Sequence, residues 1–270
     1  MRLLGQGNTA DVYEYSPTQI MKLYKMGYPL DAVQREFRIT KLVREKGLNV
    51  PQVESFVESE GRNGIVFERI EGSTMLLLMI QQAQLIEELS ARLARCHYDL
   101  HSLADHEGTL PIQKEILIGS IHRAPLLSDQ DKERIMMYIA SLPERQQICH
   151  GDFHHDNVMY SEAKDQLWLI DWMTGMSGDP AGDVARSWVI LMSGSLPEDV
   201  DPTMKLGFET SRNTLVDRYI QHYLQISGLR WEDIDAWVLP VAAARLDEHL
   251  SEREAERVLT FIHDRLILLD

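Results

Sequence analysis

The chain has 270 residues, 44% hydrophobic and 26% charged, and a formal net charge of −15. That length is enough for one large domain or two lobes with cores of their own. The acidic balance argues against nucleic acid as a partner, since phosphate backbones call for a basic surface, and two cysteines are too few for a disulfide framework.

The charge is unevenly spread. Residues 1–72 carry ten Lys/Arg and ten Asp/Glu, so residues 73–270 hold the whole −15. A cationic partner or a plain solubilising surface both account for that. The longest apolar runs, 75–80 and 238–244, fall far short of a membrane span, and no signal-peptide pattern opens the chain. The expectation is a cytoplasmic protein with no membrane partner, a monomer or homodimer.

Residues 2–15 read as strand, glycine turn, strand, with the spacing Gly5-x-Gly7-x-x-Ala10-x-Val12. Glycines let a backbone approach phosphates closely and adopt positive φ. A dinucleotide-binding turn would need a helix next, whereas residues 12–15 look extended, and no Gly-x-x-x-x-Gly-Lys-Ser/Thr occurs. Residues 19–24 form a strand with Lys22 between apolar neighbours. Residues 31–46 form a helix carrying Glu36, with Gly47 as its stop. Each is an ordinary surface residue taken alone. After a glycine loop, a strand Lys and a helix Glu are the pair that kinases use to hold nucleotide phosphates.

Residues 50–57 and 65–70 alternate like the strands of a hairpin turned at 60–64. The pattern breaks at Glu71-Gly72-Ser73, where the net charge also changes, so the lobe boundary is placed near Gly72, dividing 1–72 from 73–270. The Glu68 carbonyl and Ile70 amide are then the backbone groups expected to bind the nucleotide base. Residues 81–103 are helical. His97 and His101 share a face there at metal-ligand spacing, without a third ligand nearby, and read as packed or capping histidines. Residues 104–128 look irregular. A helix over 132–142 is capped by Ser128 or Asp129 and ends before Pro143.

The block His150-Gly151-Asp152-Phe153-His154-His155-Asp156-Asn157 is followed by an apolar strand, 167–170, and then Asp171. Asp152 is the candidate base for an attacking hydroxyl. Asn157 and Asp171 offer the hard oxygen ligands that suit Mg²⁺. His150 reads as structural support. A zinc reading of His154, His155 and Asp156 fails because adjacent side chains diverge and no cysteines stand at zinc spacing. Asp179-Pro180 opens a helix, and Asp183 near its start needs buried partners, for which the amides of the 150–157 loop are candidates.

The tail reads as helices. One covers 215–224 and stops at Gly228, and another begins at Trp231. Asp247, Glu248, Glu252, Glu254 and Glu256 form a late acidic cluster, which either attracts an amine-bearing compound or pairs locally with Arg253 and Arg257.

Three segments together carry a family resemblance: His150-Gly151-Asp152-x-x-x-x-Asn157, Ile170-Asp171-Trp172, and Gly178-Asp179-Pro180-x-x-Asp183-Val184-Ala185. They resemble the aminoglycoside phosphotransferase/choline kinase family, and Gly5, Gly7, Lys22 and Glu36 fall in that family's order. The resemblance implies an α+β, bilobal protein-kinase-like fold. Its N-terminal lobe would be a small antiparallel sheet with one helix, and its C-terminal lobe larger and mainly helical.

The resemblance further implies transfer of the γ-phosphate of ATP or GTP, with Mg²⁺, to a hydroxyl of a small acceptor. An aminoglycoside-like or other amine-bearing acceptor leads; choline, thiamine, a methylthio-sugar, an amino alcohol or a macrolide are alternatives, as is an inactive nucleotide-binding protein. Gly151 stands where protein kinases have Arg, and only a short segment links Asp171 to Pro180. Both features favour a small molecule over a peptide.

Overall fold

The computed structural model describes residues 1–7, 9–195 and 202–269, with only the backbone of Met204 and Phe208. Asn8, inside the glycine turn, lies outside the described residues.

In chain order, β1 (Leu3–Gln6), β2 (Ala10–Ser16) and β3 (Gln19–Tyr24) precede α1 (Leu30–Glu45), then β4 (Val53–Ser59) and β5 (Arg62–Glu68). The five strands form one antiparallel sheet in the order β1-β2-β3-β5-β4. Tyr24, Val33, Ile65 and Phe67 make its core against α1. The β4–β5 turn is tighter than the 60–64 expected. It is the two residues Glu60 and Gly61, both at positive φ (53° and 71°), which matches the twist of a hairpin.

The chain continues through β6 (Ser73–Thr74), α2 (Met75–Gln81), α3 (Ile86–His101), α4 (Gln113–Arg123), α5 (Asp129–Ser141) and β7 (Gln147–Cys149). The expectation of an irregular 104–128 is corrected by α4. Its buried positions, Gln113, Leu117 and Ile121, recur every four residues, but a polar first member hid the stripe. Ser128 caps α5, its side chain accepting the Asp131 N–H at 3.1 Å.

After β8 (Val158–Ser161), β9 (Gln166–Leu169) and β10 (Met176–Gly178) come α6 (Pro180–Ser193), α7 (Pro202–Ser227), α8 (Trp231–Arg245) and α9 (Glu252–Leu266). Asp179 caps α6 through the Ala181 N–H at 2.8 Å, with Pro180 in the first turn.

The chain is thus of mixed α+β class and divides into two compact units. The first comprises Met1–Met75 and His155–Gly175; the second comprises Leu76–His154 and Met176–Asp270. Residues 155–175, placed with the C-terminal lobe by the boundary at Gly72, group with the N-terminal sheet. Gly72 itself lies so close to the Tyr160 carbonyl that a side chain there would collide with it. It is a packing position where β6 joins β8 and β9. In the second unit α3 packs on α7 and α6 on α8, burying Leu93, Leu100, Tyr219, Tyr223 and Trp237. No described helix is long and apolar enough to cross a membrane.

Candidate active site

The first unit holds a cleft of about 470 Å³ with apolar walls from Val12, Ile20, Phe67, Met159 and Ile170. Of the residues singled out in the sequence, Gly5, Lys22, Glu36, Glu68, Ile70 and Asp171 line it, whereas Gly7 and Asn157 do not. Gly7 closes the turn by donating its N–H to the Ala10 carbonyl at 2.8 Å. Neither Gly5 nor Gly7 has a positive φ, so that part of the expectation is corrected. At Gly5 the direction a side chain would take is open space. The glycine there leaves room at the cleft.

Lys22 lies on β3 and reaches across to α1. Its Nζ sits 2.8 and 2.9 Å from the two Glu36 carboxylate oxygens and 3.0 Å from Asp171 Oδ1. Burial works against the ammonium, but the charges of Asp171 and Glu36 outweigh it and raise the Lys22 pKa. Glu36 is buried, which raises its pKa, while Lys22 pulls the other way. The Tyr24 hydroxyl donates to Glu36 Oε2, and Thr40 Oγ1 donates to the Glu36 carbonyl at 2.7 Å. The Glu36 carboxylate is therefore held by both Lys22 and Tyr24. Tyr24 was not foreseen; its place two residues after Lys22 on β3, on the same face of the strand, was the available signal.

Asn157 immediately precedes β8, and Asp171 follows β9 after one residue. The β8–β9 register pairs Val158 with Leu169, and the Asn157 carbonyl accepts the Ile170 N–H at 3.0 Å. Thirteen residues of chain therefore separate two positions that stand side by side at one end of a hairpin. Asp171 adopts φ 63°, ψ 66°, a left-handed conformation costing a non-glycine residue about 1–2 kcal/mol. A carboxylate and an amide are oxygen donors of the kind that a hard divalent cation takes. At 35% exposure the Asp171 side chain is open to the cleft, while Lys22 is only 12% exposed.

At the expected base-binding edge, the Glu68 N–H is taken by the Gln52 carbonyl at 2.8 Å and the Arg69 N–H by Thr18 at 2.9 Å. The Glu68 carboxylate turns toward the Gln52 N–H at 3.2 Å and Arg44.

The second unit holds His150, Asp152 and Asp183. Asp183 is buried and accepts four contacts: the His150 N–H (2.7 Å) and His97 and His101 Nε2 (3.1 and 3.2 Å) at Oδ2, and the Gly151 N–H (2.8 Å) at Oδ1. The other ring nitrogens of His97 and His101 meet the hydroxyls of Tyr219 and Tyr223 at 2.6 and 2.7 Å. The sequence lacked a third group beside the two histidines; the fold supplies Asp183, and the three side chains are close enough to hold a cation. The network closes without one, however. Each tyrosine donates to a histidine Nδ1, each Nε2–H donates to Asp183, and Phe153 stacks on His97 at 3.8 Å. Burial and the neighbouring His101 lower His97 to about 3, so its ring is neutral. Although burial opposes it, the histidine contacts hold Asp183 well below the usual carboxylate range.

Asp152 follows Gly151, whose φ is 74°. Its N–H donates to His150 Nδ1 at 3.3 Å, and its carboxylate faces His154 at 3.6 Å and Arg186 at 3.7 Å. Burial opposes ionisation, but His154 and Arg186 prevail and lower its pKa. Arg186 was not singled out from the sequence; it stands three residues after Asp183 on α6.

The acidic cluster has other partners than those expected. Asp247 pairs with Arg123 at 2.6 Å, and Glu248 with Arg186 (2.6 Å) and Arg245 (2.9 Å). Glu254 caps α9 through the Ser251 N–H at 3.0 Å and also accepts the Ser195 N–H at 2.9 Å. Arg253 and Arg257 turn to Glu209, at 4.0 and 3.6 Å, and not to the cluster.

Residues 1–237 match the model of the phosphotransferase enzyme family. A curated mouse protein, acyl-CoA dehydrogenase family member 10, is 27% identical over 231 residues, which is 76% of this chain and 21% of that protein. The chain thus spans about a fifth of that relative's length. Among solved structures, a thermostable mutant of aminoglycoside phosphotransferase APH(4)-Ia, in ternary complex with AMP-PNP and hygromycin B, superposes with TM-score 0.66 at 14% identity. It covers 99% of this chain and 92% of that one. ADP-bound aminoglycoside phosphotransferase APH(2'')-Ib superposes with TM-score 0.57 at 18% identity, covering 97% and 91%. These likenesses establish the kinase-like aminoglycoside phosphotransferase fold.

Proposed function

We propose that this chain, which belongs to the phosphotransferase enzyme family, transfers the γ-phosphate of ATP or GTP to a hydroxyl of a small molecule. The observation that carries this reading is the Lys22–Glu36–Asp171 cluster inside the cleft. A lysine held by a buried glutamate and sharing a second carboxylate is poised to take phosphate oxygens in place of that carboxylate. Asn157 and Asp171 would hold Mg²⁺, which when bound neutralises phosphate charge. Asp152 stays ionised and orients the acceptor hydroxyl, taking its proton as the phosphoryl group departs. Glu68 and Ile70 offer backbone groups to the base.

The reading places the protein in the cytoplasm as a monomer or homodimer. For the acceptor we favour an amine-bearing compound, by analogy with the hygromycin B complex of the APH(4)-Ia mutant. Its support from charge is thin, because Asp247 and Glu248 are neutralised by arginines. A neutral metabolic alcohol is the second reading, and that same neutralisation favours it. Incubating the protein with Mg·ATP or Mg·GTP and a panel of both acceptor classes, with detection of a phosphate adduct by mass spectrometry, separates them. Adducts on neutral acceptors alone refute the amine reading, and the absence of any adduct refutes the kinase. Asp171→Ala should weaken Mg-nucleotide binding at least tenfold by calorimetry, and unchanged affinity would remove Asp171 from the metal site.

A further inference from the structure

We infer that Arg186 is a positioning residue for Asp152: with Asp183 it grips both backbone groups of Gly151 and so sets where the Asp152 carboxylate points. This rests on the reading of Asp152 given above.

Asp183 and Arg186 lie one turn apart on α6, hence on one face of the helix. Asp183 Oδ1 accepts the Gly151 N–H at 2.8 Å, and Arg186 Nε donates to the Gly151 carbonyl. The residue before the candidate base, itself in a left-handed conformation, is thereby held at both ends by one rigid element. A guanidinium is a planar fork with donors in fixed relation, so fixing Nε at Gly151 also fixes the direction of the other two nitrogens.

One of those nitrogens, Nη2, lies 3.7 Å from Asp152 Oδ1; the other, Nη1, lies 2.6 Å from Glu248 Oε1. At 3.7 Å the first contact is too long for a hydrogen bond. Arg186 therefore faces Asp152 as a charge and not as a hydrogen-bond donor. Glu248, shared with Arg245 at 2.9 Å, holds the far end of the fork. The charged and titratable groups facing Asp152 are then His150 and His154 from its own loop and Arg186 from α6, with Glu248 and Arg245 behind it. Arg186 is the permanent cation among the direct neighbours. Its side chain, 14% exposed, is held at Nε by the Gly151 carbonyl and at Nη1 by Glu248.

The test compares Arg186→Gln, Arg186→Lys, Arg186→Ala and Asp152→Ala in the full chain. Turnover of Mg·ATP is measured with any acceptor the screen returns, or with water where none does. Arg186→Gln should lower kcat by about 100-fold, the cost of a misplaced catalytic group, with KM for Mg·ATP within about threefold of wild type. Millimolar guanidinium should restore at least about tenfold to Arg186→Ala. Arg186→Lys should recover less, because an ammonium cannot span Gly151, Asp152 and Glu248 together. If Arg186→Gln does not fold, Arg186→Lys carries the test, and wild-type kcat in that variant overturns the inference. The inference is also overturned if Arg186→Gln keeps kcat within threefold, or if KM rises as much as kcat falls, while Asp152→Ala is inactive. If Asp152→Ala turns over like wild type, the reading of Asp152 itself has failed, which is a distinct result.

Discussion

The cleft of the first unit and the network around Asp183 in the second both bury carboxylates, but they satisfy them with opposite chemistry. In the cleft one ammonium, Lys22, divides itself between Glu36 and a more exposed Asp171. Around Asp183 the partners are two imidazoles and two backbone amides, with tyrosine hydroxyls behind the imidazoles, all enclosed. An ion pair with one open member can exchange that member for phosphate or metal. A closed hydrogen-bond network has nothing to exchange and fixes geometry instead. On the proposed reading the first region changes partners and the second holds a loop still.

The contrast can be broken at several points. Asp152→Ala removes the group the second region holds in place, and turnover should fall about 10²–10⁴-fold, as for loss of a general base. Mg-nucleotide affinity, read by calorimetry, should stay near wild type. Loss of both would mean that the two regions are not separable. Asp183→Ala leaves two amides and two histidines without their acceptor, and urea unfolding should show a loss of about 3–5 kcal/mol. A loss below about 1 kcal/mol would show that the loop does not depend on it.

The third point is pH. His97 is lowered from 6.5 to about 3 in the folded chain, so it gains a proton on unfolding at intermediate pH. Its contribution is complete above pH 6.5 and is lost as pH falls from 6.5 toward 3, at up to about 1.4 kcal/mol per pH unit. Asp183, also lowered, adds a loss below about 3.8. Urea midpoints measured from pH 7 to 4 should decline, and His97→Gln should flatten the slope. An equal slope in that variant would assign the acid sensitivity elsewhere. The smallest effect belongs to the cleft. Tyr24→Phe removes one donor to Glu36 and leaves Lys22 in place, so stability should drop by about 1 kcal/mol with nucleotide affinity within threefold. A tenfold loss of affinity would make Tyr24 part of the phosphate grip.

Much of this molecule could be read along the chain. The glycine turn, the Lys22 strand, the Glu36 helix and the strand before Asp171 all stand within a residue or two of their expected places, because hydrophobic period and turn chemistry are local. The helix at Gln113–Arg123 escaped because its stripe begins with a glutamine whose partner, Asp179, lies 66 residues away. The acidic cluster invited a functional reading because a sequence shows charges without their counterions. Arg123, Arg186 and Arg245 reach Asp247 and Glu248 only after helices pack.

The sequence by itself determined the chemical inventory and its order: glycines, Lys22, Glu36, Asp152, Asn157, Asp171, Asp183. Order is covalent, and the residue types state what each group can donate, accept or ligate. Only the tertiary structure decided who meets whom. It set Asn157 beside the Asp171 end of a hairpin, gave Lys22 two carboxylates, joined His97 and His101 to Asp183, and brought Arg186 to Gly151. Those choices come from strand register and helix packing, which select partners far apart in sequence by shape and by the cost of leaving a buried polar group unpaired.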